Sequence, residues 1–197
     1  MDRQPGHLTR DISNVAAQLV WIKVVGIGNA NVGKTCLIKH FCESKFSNGY
    51  QPTVGVDYGF KIQTIQGIDL RVHLWDLSGN PEYIDVRNEL YGSTDAVFLV
   101  YDVTNASSFE SLETWLKELA KFGTPTAEVC LVANKVDQKA KRMVSTAEGK
   151  RWAAGHKLRY YETSAASGDG VESMFNDLLT SVVSKRKPSE NEKGAEQ

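Results

Sequence analysis

Cysteine is scarce in this 197-residue chain: Cys36, Cys42 and Cys130 are an odd number at no metal-like spacing. That argues against a disulfide framework and fits a reduced, cytoplasmic or nuclear compartment. Long apolar runs are lacking too. No stretch approaches the roughly 20 residues of a membrane-spanning helix, and the opening MDRQPGHLTRDISNVAAQLV has no signal-peptide core. The closing SKRKPSENEKGAEQ holds no cysteine, so the expectation is a protein without a lipid anchor. KRKP at 185–188 is offset by Glu190, Glu192 and Glu196. A net charge of −1 argues against nucleic-acid binding by phosphate neutralisation. The four histidines, His7, His40, His73 and His156, have neither triad-like nor ligand spacing.

What is present is a 41% apolar chain, enough for one well-buried domain over 20–184, with flexible extensions at 1–19 and 185–197. WIKVVGI (21–27), LRVHLWD (70–76), DAVFLVYDV (95–103) and EVCLVAN (128–134) read as strands, three of them buried on both faces. DYGFKIQTI (57–65) alternates and reaches a turn at Gln66-Gly67-Ile68-Asp69, so it pairs antiparallel with 70–76. SSFESLETWLKELAKF (107–122) reads as one helix with a capping box from Ser107 to Glu110 and a stripe of Phe109, Leu112, Leu116 and Leu119. VESMFNDLLTSVV (171–183) is another, with Val171, Phe175, Leu178 and Val182 on one face. Strand–helix alternation predicts an α/β, doubly wound, mostly parallel sheet. Function then belongs to the loops beyond the strands' carboxyl ends.

Those loops carry motifs. GNANVGKT after the first strand, Gly28, Asn29, Ala30, Asn31, Val32, Gly33, Lys34 and Thr35, matches G-x-x-x-x-G-K-[ST]. Its backbone N–H groups would cradle phosphate, Lys34 would reach the β- and γ-phosphates, and Thr35 would ligate Mg²⁺. Cys36 follows at the start of the helix. A dinucleotide fingerprint fits worse, because Asn31 stands where its third glycine belongs. DLSG places Asp76 and Gly79 to sense a terminal phosphate. ANKVD supplies Asn134, Lys135 and Asp137; an aspartate there accepts from guanine's N1–H and 2-amino groups, donors that adenine does not offer at that edge. ETSAASGDG puts Ser164, Ala165 and Ala166 where a backbone N–H could meet the guanine O6. Taken singly, N-K-x-D and ETSAASGDG are ordinary loops; in order after the phosphate loop and Asp-x-x-Gly they point to guanine nucleotide.

With these residues in that order, the chain resembles the Ras superfamily of small GTPases over nearly all of 20–184. VYDVTNASSFESLETWL, GVDYGF and WD before Asp-x-x-Gly resemble the Rab branch. GNANVGK, GVDYG and VRNELY resemble its Rab-like group with a C-terminal J domain (RJL or RBJ), the expectation here being a member without the J domain. The resemblance implies a P-loop NTPase fold with six strands, one antiparallel edge and about five helices. It also implies GTP/GDP and Mg²⁺ as cofactors, Thr53 as the switch threonine on Mg²⁺ and the γ-phosphate, and Asp76 holding Mg²⁺ through water. Gly79 N–H would meet the γ-phosphate and Phe46 would lie on the guanine ring. Effectors and regulators would read the regions 47–60 and 76–92 of a monomer, in intracellular transport and at basal bodies, cilia or flagella. Of the aromatic trio that Rab effectors read, Tyr58 and Trp75 match and Leu90 departs.

Asn80 departs as well, standing where hydrolytic relatives carry the glutamine that positions the attacking water. Its amide sits on a stem one methylene shorter, Pro81 restricts the loop, and a misplacement of about 1 Å can cost ~10²-fold. Ala30 would further crowd an incoming arginine finger. The expectation is a GTP/GDP switch with weak hydrolysis, Asn80, Gly79, Lys34 and Thr53 forming what catalytic apparatus there is. The alternative is a GTP-holding interaction module that does not hydrolyse. An ATP-dependent enzyme is disfavoured by Asp137.

Overall fold

A computed structural model describes residues 19–46 and 51–186. Residues 47–50 of the expected switch region, and nearly all of both expected extensions, lie outside the described residues. Six strands form one sheet: β1 Val20–Ile27, β2 Val56–Ile65, β3 Ile68–Leu77, β4 Ala96–Asp102, β5 Glu128–Asn134 and β6 Arg159–Thr163. Their order is β2-β3-β1-β4-β5-β6. Every neighbouring pair is parallel except β2–β3. The fold is therefore the doubly wound α/β arrangement read from the sequence.

The period-2 alternation of β1 explains how one sheet serves two cores. Ile22 and Val24 face a layer with Phe41, Phe98, Val132 and Phe175, while Val25 and Ile27 face Leu99, Leu131, Leu112 and Trp115. All seven residues of β4 are buried, as a central strand covered on both faces requires. Burying each of its Val, Phe and Leu side chains stabilises by roughly 1.5–3 kcal/mol.

The β2–β3 ladder runs to Ile65 opposite Ile68, so the turn is Gln66-Gly67 alone, two residues shorter than expected. Both have positive φ (51° and 76°), the combination that a tight hairpin turn matching strand twist demands.

The helices are α1 Lys34–Glu43, α2 Ile84–Leu90, α3 Ala106–Glu110, α4 Leu112–Phe122, α5 Thr146–Gly155 and α6 Val171–Arg186. The single helix expected over 107–122 is thus two, broken at Ser111. Its cap is also different: Asn105, extended at φ −135°, accepts the Ser108 N–H, and the Ser107–Glu110 capping box does not form. A capping box does form at Ser145–Glu148, opening α5. On α4 the buried face is Leu112, Trp115 and Leu119; Phe109 and Leu116 are only half-buried. The last helix runs to Arg186, two residues into the stretch read as tail.

Candidate functional site

The loops after β1, β3, β5 and β6 meet around a cleft of about 1040 Å³. Its phosphate-loop wall is built by geometry that needs glycine. Gly28 and Gly33 have φ of 135° and 99°, and an added Cβ would lie 2.2 Å from the Val100 carbonyl oxygen and 2.3 Å from Asn134 Nδ2. Val32 turns inward to the core, while Asn29, Ala30, Asn31, Gly33, Lys34, Thr35 and Cys36 line the cleft. Lys34 is buried, and its ammonium donates to the carbonyls of Gly28 (2.8 Å) and Asn29 (2.9 Å). Among the described residues it has no ion pair. Burial therefore lowers its pKa to about 8, against the raising influence of Asp76. A buried cation held only by carbonyls fits a phosphate group as its missing counter-ion.

Beneath it, Asp76 accepts from the hydroxyls of Thr35 and, at 3.1 Å, Thr53. The two threonine oxygens are 3.1 Å apart. Burial raises the Asp76 pKa against the lowering influence of Lys34 and both hydroxyls. Its second oxygen, Oδ1, is buried without a hydrogen-bond partner. An orphaned carboxylate oxygen beside two hydroxyls is a donor set suited to a hard divalent cation.

At the opposite end Asn134, buried at the tip of β5, ties three loops together. Its Nδ2 donates to the Val32 carbonyl (2.8 Å), and its Oδ1 accepts from Thr163 Oγ1 and the Ala165 N–H (both 3.2 Å). Lys135, at φ 68°, donates to the Asn31 carbonyl (2.7 Å) and pairs with Asp102 (2.6 Å). Exposed Asp137 lines the cleft and accepts the Ser164 hydroxyl at 2.6 Å. Ser164 is itself buried, so its hydroxyl acts by orienting that carboxylate. The Ser164 N–H goes to the Asp169 carbonyl and the Ala165 N–H to Asn134 Oδ1. Ala165 and Ala166 both line the cleft. Phe46 lines the same end and is 42% exposed.

The loop after β3 closes the phosphate end. A Cβ on Gly79 would lie 2.2 Å from the Ala30 nitrogen, so the two loops touch backbone to backbone. Asn80, at φ −76° and ψ 130°, caps a 3₁₀ turn at Pro81–Tyr83. Its side chain accepts the Glu82 N–H (3.2 Å) and donates to the Glu82 carboxylate (3.4 Å). Sequence reasoning missed what lies behind: Arg87 donates to the Asn80 carbonyl at 3.0 Å and grips Glu118 with two hydrogen bonds of 2.6 and 2.8 Å. It also missed Trp115, whose indole N–H donates to Asn29 Oδ1 at 2.7 Å. A buried arginine in VRNELY is signal for the first; nothing local signals the second.

Outside the cleft, Tyr58 and Trp75 meet edge to face at 5.1 Å, and Tyr58 shares a hydrogen bond with His73. Leu90 and Trp75 pack on the same half of the core. His156 bridges Trp152 and Glu113. No group of three or more His, Cys, Asp or Glu suited to a metal occurs among the described residues. Nor, among them, is any helix long and apolar enough to cross a membrane.

Residues 23–184 match the Ras family. DnaJ homolog subfamily C member 27-B of Xenopus laevis is 41% identical over 170 residues, covering 82% of this chain and 62% of that protein. DnaJ homolog subfamily C member 27 of Mus musculus is 40% identical over 172 residues, covering 85% and 63%. The Homo sapiens protein is 39% identical over 167, covering 82% and 61%. The chain thus spans less than two thirds of the length of these curated relatives.

Proposed function

This chain belongs to the Ras family, and we propose that within it the domain works as a Rab-like guanine-nucleotide switch whose hydrolytic step is weak. The observation that carries the reading is the engagement of the Asn80 amide. Both its oxygen and its nitrogen are turned to Glu82, closing the turn in which Asn80 itself sits. An amide engaged in this way, on a stem short by one methylene, supports weak positioning of an attacking water.

The roles follow from the chain's own groups. Lys34 and the backbone of the 28–35 loop hold the phosphates. Thr35, Thr53 and Asp76, already joined by their hydrogen bonds, would hold the metal. Mg²⁺-GTP, when bound, supplies charge neutralisation and the transferable phosphoryl group. Gly79 offers its N–H to the terminal phosphate. Asp137, held by Ser164, selects guanine, with Lys135 and Phe46 flanking the base. Effectors and regulators read the regions 47–60 and 76–92; of the aromatic trio that Rab effectors read, Tyr58 and Trp75 match and Leu90 departs. By resemblance the protein acts in intracellular transport, in the cytoplasm and at the base of cilia or flagella.

The occupied Asn80 amide also favours a second reading, a GTP-bound interaction module that does not cycle. Nucleotide content of the purified protein, displacement by GTP, GDP and ATP with and without Mg²⁺, and single-turnover hydrolysis separate the two. GTP and GDP are expected to compete and ATP not to. Slow but Mg²⁺-dependent turnover supports the switch; none at all supports the module. Equal competition by ATP removes both.

A further inference from the structure

Two loops wall the phosphate end of the cleft, and both are fastened to the same helix. Asn29 directs its whole side chain to α4 and its N-cap: Oδ1 accepts the Trp115 indole N–H at 2.7 Å, and Nδ2 donates to the N-cap Ser111 Oγ at 3.1 Å. The carbonyl of the same Asn29 accepts from the Lys34 ammonium at 2.9 Å. On the other wall, Arg87 donates to the carbonyls of Ser78 (3.4 Å) and Asn80 (3.0 Å). Its guanidinium lies over the Trp115 ring at 4.6 Å and is held by both oxygens of Glu118. The Tyr91 hydroxyl gives Glu118 a further hydrogen bond at 2.9 Å. Trp115 thus stands between the two walls, its N–H on one and its face under the cation that holds the other.

We propose that Trp115, with the Arg87–Glu118 pair, is a positioning residue that couples the phosphate loop to the 76–92 region, so that the two respond to nucleotide state as one body. The inference rests on the guanine-switch reading and deepens it. The walls already meet where Gly79 touches Ala30, so a shift of Gly79 toward a terminal phosphate must move the Asn80 carbonyl, and with it Arg87. Arg87 and Glu118 are nearly buried, with side-chain exposures of 6% and 9%, and neither can give up the other without leaving a desolvated charge. The movement is therefore passed to the ring beneath the guanidinium and through its N–H to Asn29.

The test uses the full chain, ¹⁵N-labelled, loaded with GDP or a non-hydrolysable GTP analogue. The Trp115 indole resonance, identified by its loss in Trp115→Phe, is expected to shift between the two states, and Asn29→Ala to shrink that shift. Trp115→Phe is expected to change the ratio of GTP-analogue to GDP dissociation rates by about five-fold or more, the lower end of ordinary coupling. Glu118→Gln, which keeps the shape and removes the charge, is expected to act in the same direction. An indole resonance that does not respond to nucleotide in the wild type, with both dissociation rates changed equally in Trp115→Phe, overturns the proposal and leaves Trp115 as packing. Wild-type protein that fails to distinguish GTP from ATP overturns the guanine reading instead. If Trp115→Phe does not fold, sequential assignment of the wild-type protein identifies the Trp115 indole resonance, and its response to nucleotide and to Asn29→Ala still decides.

Discussion

Asn80 Oδ1 accepts the backbone N–H of Glu82 at 3.2 Å, capping the turn that begins at Pro81. Asparagine is among the best capping residues and glutamine is not, so Asn80→Gln exchanges a cap worth ~1 kcal/mol for longer reach. It is expected to raise single-turnover GTP hydrolysis modestly, from below the order of 10⁻⁴ s⁻¹ typical of unassisted relatives. Adding Pro81→Glu is expected to raise it further. A rate unchanged in both variants would place the attacking water under another group.

The Ser164–Asp137 hydrogen bond predicts a graded loss of guanine recognition. Ser164→Ala frees the carboxylate to rotate and is expected to weaken GTP and GDP binding equally, by about ten-fold for a lost bond to a charged acceptor. Asp137→Asn is expected to move preference toward xanthine nucleotides, whose 2-oxo group accepts a hydrogen bond. Displacement titrations with both base types check this, and retained guanine preference in Asp137→Asn argues that another group reads the base.

Gly79→Ala places a methyl against the Ala30 and Asn29 backbone, where neither neighbour is a side chain that can turn away. The loop must retreat, at roughly 1–3 kcal/mol. GDP affinity is expected to change little, whereas the GTP-specific preference is lost. Calorimetry with GDP and a GTP analogue distinguishes this from a general loss of binding, which would mean that the contact serves the fold alone.

Glu162 gives a pH test away from the phosphate end. Burial pushes its pKa up, but hydrogen bonds from Thr146, Arg142 and Tyr160 outweigh this and hold it below the usual carboxylate range. A carboxylate depressed in the folded state stabilises fully above its unfolded pKa, and that stability fades as pH falls through the folded value. Glu162→Gln is therefore expected to cost about 1–2 kcal/mol at neutral pH, with the difference from wild type closing below about pH 4. Urea unfolding of the two proteins across pH measures it, and a constant difference would trace the cost to packing.

The motifs were legible because their chemistry is local. The 28–35 loop and Asn134, Lys135 and Asp137 are contiguous or nearly so, and glycine spacing or strand-end position suffices to read them. The Asn80 cap has a local signal too, since Asn followed by Pro and Glu marks a helix start. The strands were readable because alternation and burial are properties of the chain. The cap read at Ser107 is instead at Asn105, where the backbone is extended and the side chain accepts the Ser108 N–H. What only the tertiary structure decided are the pairs far apart in sequence. Ser164 reaches Asp137 across 27 residues, Arg87 reaches Glu118 across 31, and Trp115 reaches Asn29 across 86. No periodicity links such residues. They meet because parallel strands bring their carboxyl-end loops to one edge of the sheet, and because α4 packs its apolar face on that sheet and turns Trp115 toward the phosphate loop.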